Sequence, residues 1–239
     1  MIIRLFCLEN IKENQQLLLD EKQSNYLCNV LRLSNDDRIN VFDGKNGEFI
    51  AKIINANKKK CLLYVMNKEK DFEPSPDIWL LFAPLKKDCT DIVIQKSTEL
   101  GVSKIIPVIT EYTNSDKIRK DRFISQSIEA SEQCRRLDVP DIDNAQLLFD
   151  VLDKWDAKRV LFFLNEKGNG NDVISVLNNN LGKAAILIGP EGGFSDVEVK
   201  KIKEYPFVRD IFLGKRILRA ETAAIAALSC WQALNGDWR

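Results

Sequence analysis

The sequence predicts an α/β protein: a mostly parallel sheet with helices on both faces, preceded by a small β-barrel domain. Three observations carry this. From residue 78 onward, short apolar runs alternate with segments of helical period, and that rhythm calls for a parallel sheet. Residues 1–72 instead hold several short strands separated by turn signals, the pattern of a small barrel. Between the two, residues 71–77 are polar and carry Pro74 and Pro76, which reads as a linker. The expected domains are therefore 1–72 and 73–239.

Within the first domain, residues 39–43 form a strand ending at Asp43-Gly44, and Gly47 opens a second strand over 48–54, a hairpin signal. A third strand, 61–66, follows the Lys58-Lys59-Lys60 turn. One short helix interrupts: Ser24 is placed to cap 26–31, where Tyr26, Leu27, Val30 and Leu31 have helical spacing, and Arg32 ends it. In the second domain a strand at 78–83 leads to a helix over 88–100, closed by Gly101. Strand 104–109 contains Pro107, which favours an edge or an end. A long helix spans 118–136 with Phe123, Ile124, Ile128 and Ser131 on one face. Its terminal Arg135 and Arg136 suit the helix dipole. Strand 159–164, a short helix at 172–179 and strand 184–188 follow. Ser195 and Glu198 are spaced as a capping box, and Phe194 and Val199 as a hydrophobic staple, for a helix reaching Glu204. Strand 210–213 and an alanine-rich helix over 221–234 close the chain.

Composition removes whole classes of chemistry. The chain has 239 residues and no histidine, so no His-based triad, metal ligand or general base is available. Six scattered cysteines form no Cys-x-x-Cys pair, which argues against zinc, iron–sulfur and redox sites and for reduced, mostly buried thiols. No metal site is expected. No apolar run is long enough to span a membrane, and the N-terminus lacks the marks of a signal peptide, so a cytoplasmic location is expected. Lysine plus arginine and aspartate plus glutamate both total 35, so overall charge gives no support for nucleic-acid binding; a local basic patch would suffice.

Three loops follow strand ends: 165–170, 189–193 and 214–219. If their strands are neighbours in a parallel sheet, the loops converge on one pocket. The middle loop, Gly189-Pro190-Glu191-Gly192-Gly193, has neither a Walker A lysine nor a dinucleotide fingerprint, and Glu191 would repel a phosphate. In the third, Ile217 and Leu218 sit between cations and read either as core plugs or as part of a site. Lys215 and Arg216 read as solvated, Arg219 as functional, and Lys86-Lys87 as a solvated face or an RNA contact.

Four ordered motifs then fit one family: Gln95-Lys96-Ser97-Thr98-Glu99-Leu100-Gly101-Val102, Glu132-Gln133-Cys134-x-Arg136, Ile188-Gly189-Pro190-Glu191-Gly192-Gly193, and Leu213-Gly214-x-x-Ile217-Leu218-Arg219-x-Glu221-Thr222-Ala223. With Val30-Leu31-Arg32 and Val41-Phe42-Asp43-Gly44, the chain resembles the RsmE-type methyltransferases of the SPOUT class over nearly its whole length. The resemblance implies a PUA-like first domain, a deep trefoil knot in the second, and transfer of a methyl group from S-adenosylmethionine to N3 of a uridine in 16S ribosomal RNA. It implies cofactor contacts at Leu164, Gly189, Glu191, Gly192, Leu213, Gly214, Ile217, Leu218, Thr222 and Ala223. Arg219, Arg136 and Glu191 are the expected catalytic residues, and Arg4, Arg32, Lys86 and Arg136 the expected RNA contacts. Glu191 stays open between proton acceptor, cofactor contact and loop brace. The partners implied are 16S ribosomal RNA or the small ribosomal subunit, and a second copy of the chain packed through the knot helices, without a membrane. The family often has His at the position of Tyr26 and Gly at that of Arg135. Other readings are a SPOUT-class enzyme acting on another RNA site, a non-catalytic RNA-binding protein, and a nucleotide-dependent α/β enzyme.

Overall fold

The structure is a computed structural model; it describes residues 3–113, 118–165, 171–178 and 182–238. The chain divides into two compact units. One comprises Met1–Pro74 with Ser131–Asp138, the other Ser75–Ala130 with Val139–Arg239.

In the first unit, β1 (Arg4–Phe6), β2 (Gln16–Leu18), α1 (Glu21–Asn25), β3 (Arg38–Phe42), β4 (Glu48–Asn55) and β5 (Leu62–Lys70) follow in order. The strands form one sheet ordered β1-β3-β4-β5-β2. The β3–β4 pair is the antiparallel hairpin expected, with Val41 opposite Phe49. Both β1 and β2 end the order, so the expected barrel is an open, curled sheet around Leu27, Val41, Ile53, Leu63 and their neighbours. Asp43 fastens the hairpin: its carboxylate accepts from Ile11 N–H at 2.8 Å, Lys45 N–H at 3.0 Å and Asn46 N–H at 2.8 Å. The helix differs from expectation. Asp20 is the N-cap, accepting from Gln23 N–H at 2.8 Å. Ser24 lies inside the helix and is buried; its hydroxyl accepts from Cys61 N–H at 2.9 Å. A π-helical turn, Tyr26–Val30, continues α1.

The second unit opens with β6 (Ile78–Phe82), α2 (Lys87–Glu99), β7 (Lys104–Ile109), α3 (Lys120–Cys134), β8 (Asp141–Ile142) and β9 (Gln146–Leu147). It continues with α4 (Leu148–Leu152), β10 (Val160–Leu164), β11 (Asn171–Asp172), α5 (Val173–Leu177), β12 (Ala184–Ile188), α6 (Asp196–Glu204), β13 (Val208–Phe212) and α7 (Ala220–Asn235). Asn179, expected at the end of the short helix, lies outside the described residues. The sheet runs β11-β13-β10-β12-β6-β7-β8, with β9 also on β7, and every pairing is parallel. Such a sheet must be covered on both faces, and it is. Phe82, Phe162, Ile186, Val93, Phe123, Leu228 and Trp231 form one core layer. Leu81, Phe163, Leu187, Leu148, Leu152 and Ile202 form the other, carrying α4 and α6.

Helix faces follow from spacing. On α2 the buried positions are Thr90, Val93, Ile94, Ser97 and Thr98; on α7 they are Ala224, Ala227, Leu228, Trp231 and Gln232. Both sets repeat at i, i+3, i+4, i+7 and i+8, one helical stripe. Gln232 reaches from α7 to accept the role of cap for α2, donating to Leu100 C=O at 2.6 Å. On α3 the buried residues are Phe123, Ser127, Ala130 and Ser131, so Ile124 and Ile128 are only half-buried and Ser127 replaces Ile128 in the stripe. Pro107 is not an end residue of β7, but it sits at a local edge: it pairs Phe82 of β6, and on its other side β8 reaches only Lys104 and Ile105 and β9 only Val108 and Ile109.

Candidate active site

The decisive arrangement is the order β13-β10-β12. In register, Leu164 of β10 pairs Ile211 of β13, and Phe163 pairs Leu187 of β12. Three neighbouring parallel strands therefore end at one edge, and the residues after them line one cavity of about 510 Å³. Leu164 and Asn165 come from β10 and its loop; Ile188, Gly189, Pro190, Glu191, Gly193 and Phe194 from the middle loop; Leu213 to Glu221 and Ala223 from the third loop and α7. Lys86 and Cys89 close it from the start of α2. The rest of the first loop, 166–170, lies outside the described residues.

The middle loop is rigid for identifiable reasons. Gly193 takes a φ of +68° and returns its N–H to Pro190 C=O at 2.9 Å, closing a tight turn. A Cβ on Gly189 would sit 2.7 Å from the Phe194 ring, which lies edge-on to Phe163 of β10 with centroids 5.1 Å apart. Phe194 thus pins the loop to the sheet. Immediately after it, the expected capping box forms: Ser195 Oγ accepts from Glu198 N–H at 3.3 Å and Glu198 Oε2 accepts from Ser195 N–H at 3.0 Å. Glu198 is buried, and its other oxygen accepts from Glu111 N–H at 2.8 Å. Glu191 is exposed and accepts from Lys86 N–H at 3.0 Å, so its carboxylate ties this loop to the start of α2.

The third loop settles Ile217 and Leu218. Ile217 is 82% exposed and Leu218 half-buried, so neither plugs the core. Lys215, Arg216 and Arg219 are exposed and line the cavity mouth with Lys86. Four cations against the carboxylates of Glu191 and Glu221 make the mouth locally basic in a chain of zero net charge. Arg219 is the N-cap residue of α7 and makes no side-chain capping bond. Burial first, then the hydrogen-bonded Glu221 carboxylate, push the Cys89 thiol above its ordinary pKa; Arg219 opposes them.

Not every expected residue reaches the cavity. Gly192 and Thr222 do not line it: Gly192 packs beneath Tyr112, and Thr222 is exposed on the first turn of α7. Arg136 and Arg4 are occupied elsewhere. The Arg4 guanidinium is buried, stacks over Phe42 at 4.5 Å and pairs with Glu48. Its remaining donors go to the carbonyls of Ser131 at 2.9 Å, Glu132 at 3.0 Å and Arg136 at 2.9 Å, the open end of α3. Arg4 is therefore a helix cap and buried ion-pair partner in place of the RNA contact expected. Arg136 lies beyond the end of α3 with its side chain 8% exposed and donates from Nε to Asp138 at 2.8 Å, so neither it nor the exposed Arg135 sits in the last helical turn. Arg32 is exposed with φ +57°. Asn165 lines the cavity from the first candidate loop, while Cys89 and Phe194 were not foreseen there; only their positions at a helix start could have suggested them.

Residues 73–232 match the family described as RNA methyltransferase domain, and residues 19–64 the RNA methyltransferase PUA domain. The chain is 32% identical over 95% of its length, and 93% of the relative's, to ribosomal RNA small subunit methyltransferase E of Rickettsia conorii. The chain belongs to the ribosomal RNA small subunit methyltransferase E family. Two solved structures of similar fold extend this. A methyltransferase of Legionella pneumophila in complex with the cofactor SAM superposes with a TM-score of 0.91 at 31% identity, covering 99% of both chains. The Neisseria gonorrhoeae ribosomal RNA small subunit methyltransferase E bound to S-adenosyl methionine gives 0.90 at 29%, covering 100% of both. Among the described residues no group of His, Cys, Asp and Glu could hold a metal ion, and no helix is long and apolar enough to cross a membrane.

Proposed function

We propose that the chain transfers a methyl group from S-adenosylmethionine to N3 of a uridine in 16S ribosomal RNA of the small subunit. The observation that carries this is the convergence of three strand-end loops on one cavity, in a chain of this family. The residues present fit the cofactor. The volume is that of a small-molecule site. Leu164, Ile188, Leu213 and Leu218 offer apolar walls for a nucleobase, while Gly214, with open space about it, leaves backbone N–H and C=O groups approachable. Glu191 and Glu221 offer carboxylates to a sulfonium. When bound, S-adenosylmethionine supplies an electrophilic methyl group on a sulfonium.

The chain's own part is to align and to stabilise charge. Uracil N3 carries an imide proton, and its loss spreads negative charge over O2, N3 and O4. Arg219, exposed at the mouth and free of capping duty, is the group that stabilises that charge. Lys86, Lys215 and Arg216 meet phosphates. Glu191 braces Lys86, and is the candidate to take the proton. The target base must be unpaired or flipped, because N3 is hidden in a base pair. A trefoil knot around the three connections, a homodimer packed through its helices and a cytoplasmic setting complete the reading, as the family resemblance implies.

The test is direct. Purified protein, small subunits and methyl-labelled S-adenosylmethionine are incubated, and the RNA is digested to nucleosides. We expect label in 3-methyluridine at one position. Label in another nucleoside would move the enzyme to a different site of the same class; no label would remove the reading.

A further inference from the structure

We propose that Tyr112 is a base-stacking residue, holding a nucleobase of the RNA substrate at the mouth of the cavity. The inference rests on the methyltransferase reading above and goes beyond it, since that reading names no group that stacks on a base. Tyr112 is 50% exposed, an arrangement that does little for stability. Single exposed aromatics are common and need no explanation. Two features set this one apart.

The first is how firmly its turn is held. Thr110 N–H donates to Thr113 Oγ1 at 2.8 Å, the two threonine hydroxyls lie 2.8 Å apart, and Thr113 N–H returns to Thr110 C=O at 3.1 Å. Glu111 N–H is fixed to Glu198, the same residue that completes the capping box after the middle loop. The turn carrying Tyr112 and the loop lining the cavity therefore share one buried carboxylate. The second feature is position. A Cβ placed on Gly192 would lie 3.3 Å from Tyr112 Cβ and 3.7 Å from its ring. Gly192 sits between Glu191 and Gly193, both of which line the cavity. The phenol ring thus stands against the middle loop, whose flanking residues Glu191 and Gly193 line the cavity together with the exposed cations Lys86, Lys215, Arg216 and Arg219.

An exposed aromatic ring on a firmly held turn, against a loop of a cavity with a basic mouth, has the chemistry of single-stranded RNA recognition. Bases stack on the ring, phosphates meet the cations, and little backbone ordering entropy is lost because the turn is already held. An extruded uridine leaves its neighbours unstacked, and a platform at the rim would restore a stacking partner to the target base or to one beside it.

The experiment compares wild type with Tyr112→Ala, Tyr112→Phe and Tyr112→Trp, using small subunits as substrate. Tyr112→Ala should raise KM for RNA roughly 5- to 100-fold, as loss of one stacked base does. Calorimetric affinity for S-adenosylmethionine and the melting temperature should stay at wild-type values, and the Phe and Trp variants should restore KM. Wild-type KM in Tyr112→Ala would overturn the proposal. So would a Phe variant as impaired as Ala, which would place the contact on the hydroxyl, or a parallel fall in cofactor affinity, which would make Tyr112 a brace for Gly192. Should wild type transfer no methyl group, the methyltransferase reading fails by itself. Direct binding of small-subunit RNA, with and without the ring, then decides the stacking contact: equal affinities would end it.

Discussion

Arg219 has no structural duty: its side chain is exposed, makes no capping bond to α7, and stands at the rim of the cavity. Replacing it with alanine should leave the fold and cofactor affinity intact while lowering kcat by about 10²- to 10³-fold, the usual effect of removing one preorganised donor from developing charge. Single-turnover kinetics beside a cofactor titration checks this. Asp43 is the opposite case, a carboxylate with only structural partners. Burial alone would raise its pKa, but the hydrogen bonds from Ile11, Asn46 and Lys45 outweigh burial and hold it below the usual range. A depressed folded-state pKa stabilises fully above the unfolded value, about 4, and the benefit fades as pH falls through the folded value. Asp43→Asn should therefore cost about 1–3 kcal/mol at neutral pH, and the gap to wild type should narrow on acidification below about pH 4. Denaturant midpoints across that range read it; a gap that widened would contradict the sign. The sequence made Arg219 legible because three cations and two apolar residues crowd one short connection. It left Arg4 illegible: the same residue type became a buried cap because Glu48 and the carbonyls of Ser131, Glu132 and Arg136 surround it, contacts across 44 to 132 positions of chain.

At the scale of elements, local signals succeeded where the partner groups were local. The Ser195–Glu198 box and the Ala184–Ile188 strand are both set within a few residues, and both appear as expected. Ser24 misled because its hydroxyl serves Cys61, 37 positions away, while Asp20 takes the cap. Strands β8, β9 and β11 are two residues each, too short to show a period. Ser195→Ala should cost about 1 kcal/mol and loosen the loop that α6 anchors, so cofactor affinity should fall together with thermal stability. Affinity unchanged in that variant would separate the cap from the site. The end of α3 offers a complementary change. Arg135 holds φ +67°, a conformation an arginine adopts at a cost of about 1 kcal/mol and glycine adopts readily. That is the position where the resembled family often has glycine. Arg135→Gly should raise stability by up to about 1 kcal/mol, measured by thermal unfolding; destabilisation would show that the side chain makes up for its backbone.

At the scale of the whole molecule, alternation of strands and helices was enough to foresee a parallel sheet with two covered faces. It was not enough to order the strands. The order β13-β10-β12-β6 places next to each other strands far apart in the chain, and only that order brings the three loops together. The motif resemblance supplied what periodicity could not, and the family match over residues 73–232 agrees with it. This shared edge recognises S-adenosylmethionine, by this reading largely through backbone groups. Titration calorimetry of the intact chain tests it most directly, with S-adenosylmethionine in one run and ATP in another. We expect saturable binding of one S-adenosylmethionine per chain and weaker or no binding of ATP; silence with S-adenosylmethionine, or equal binding of ATP, would overturn this.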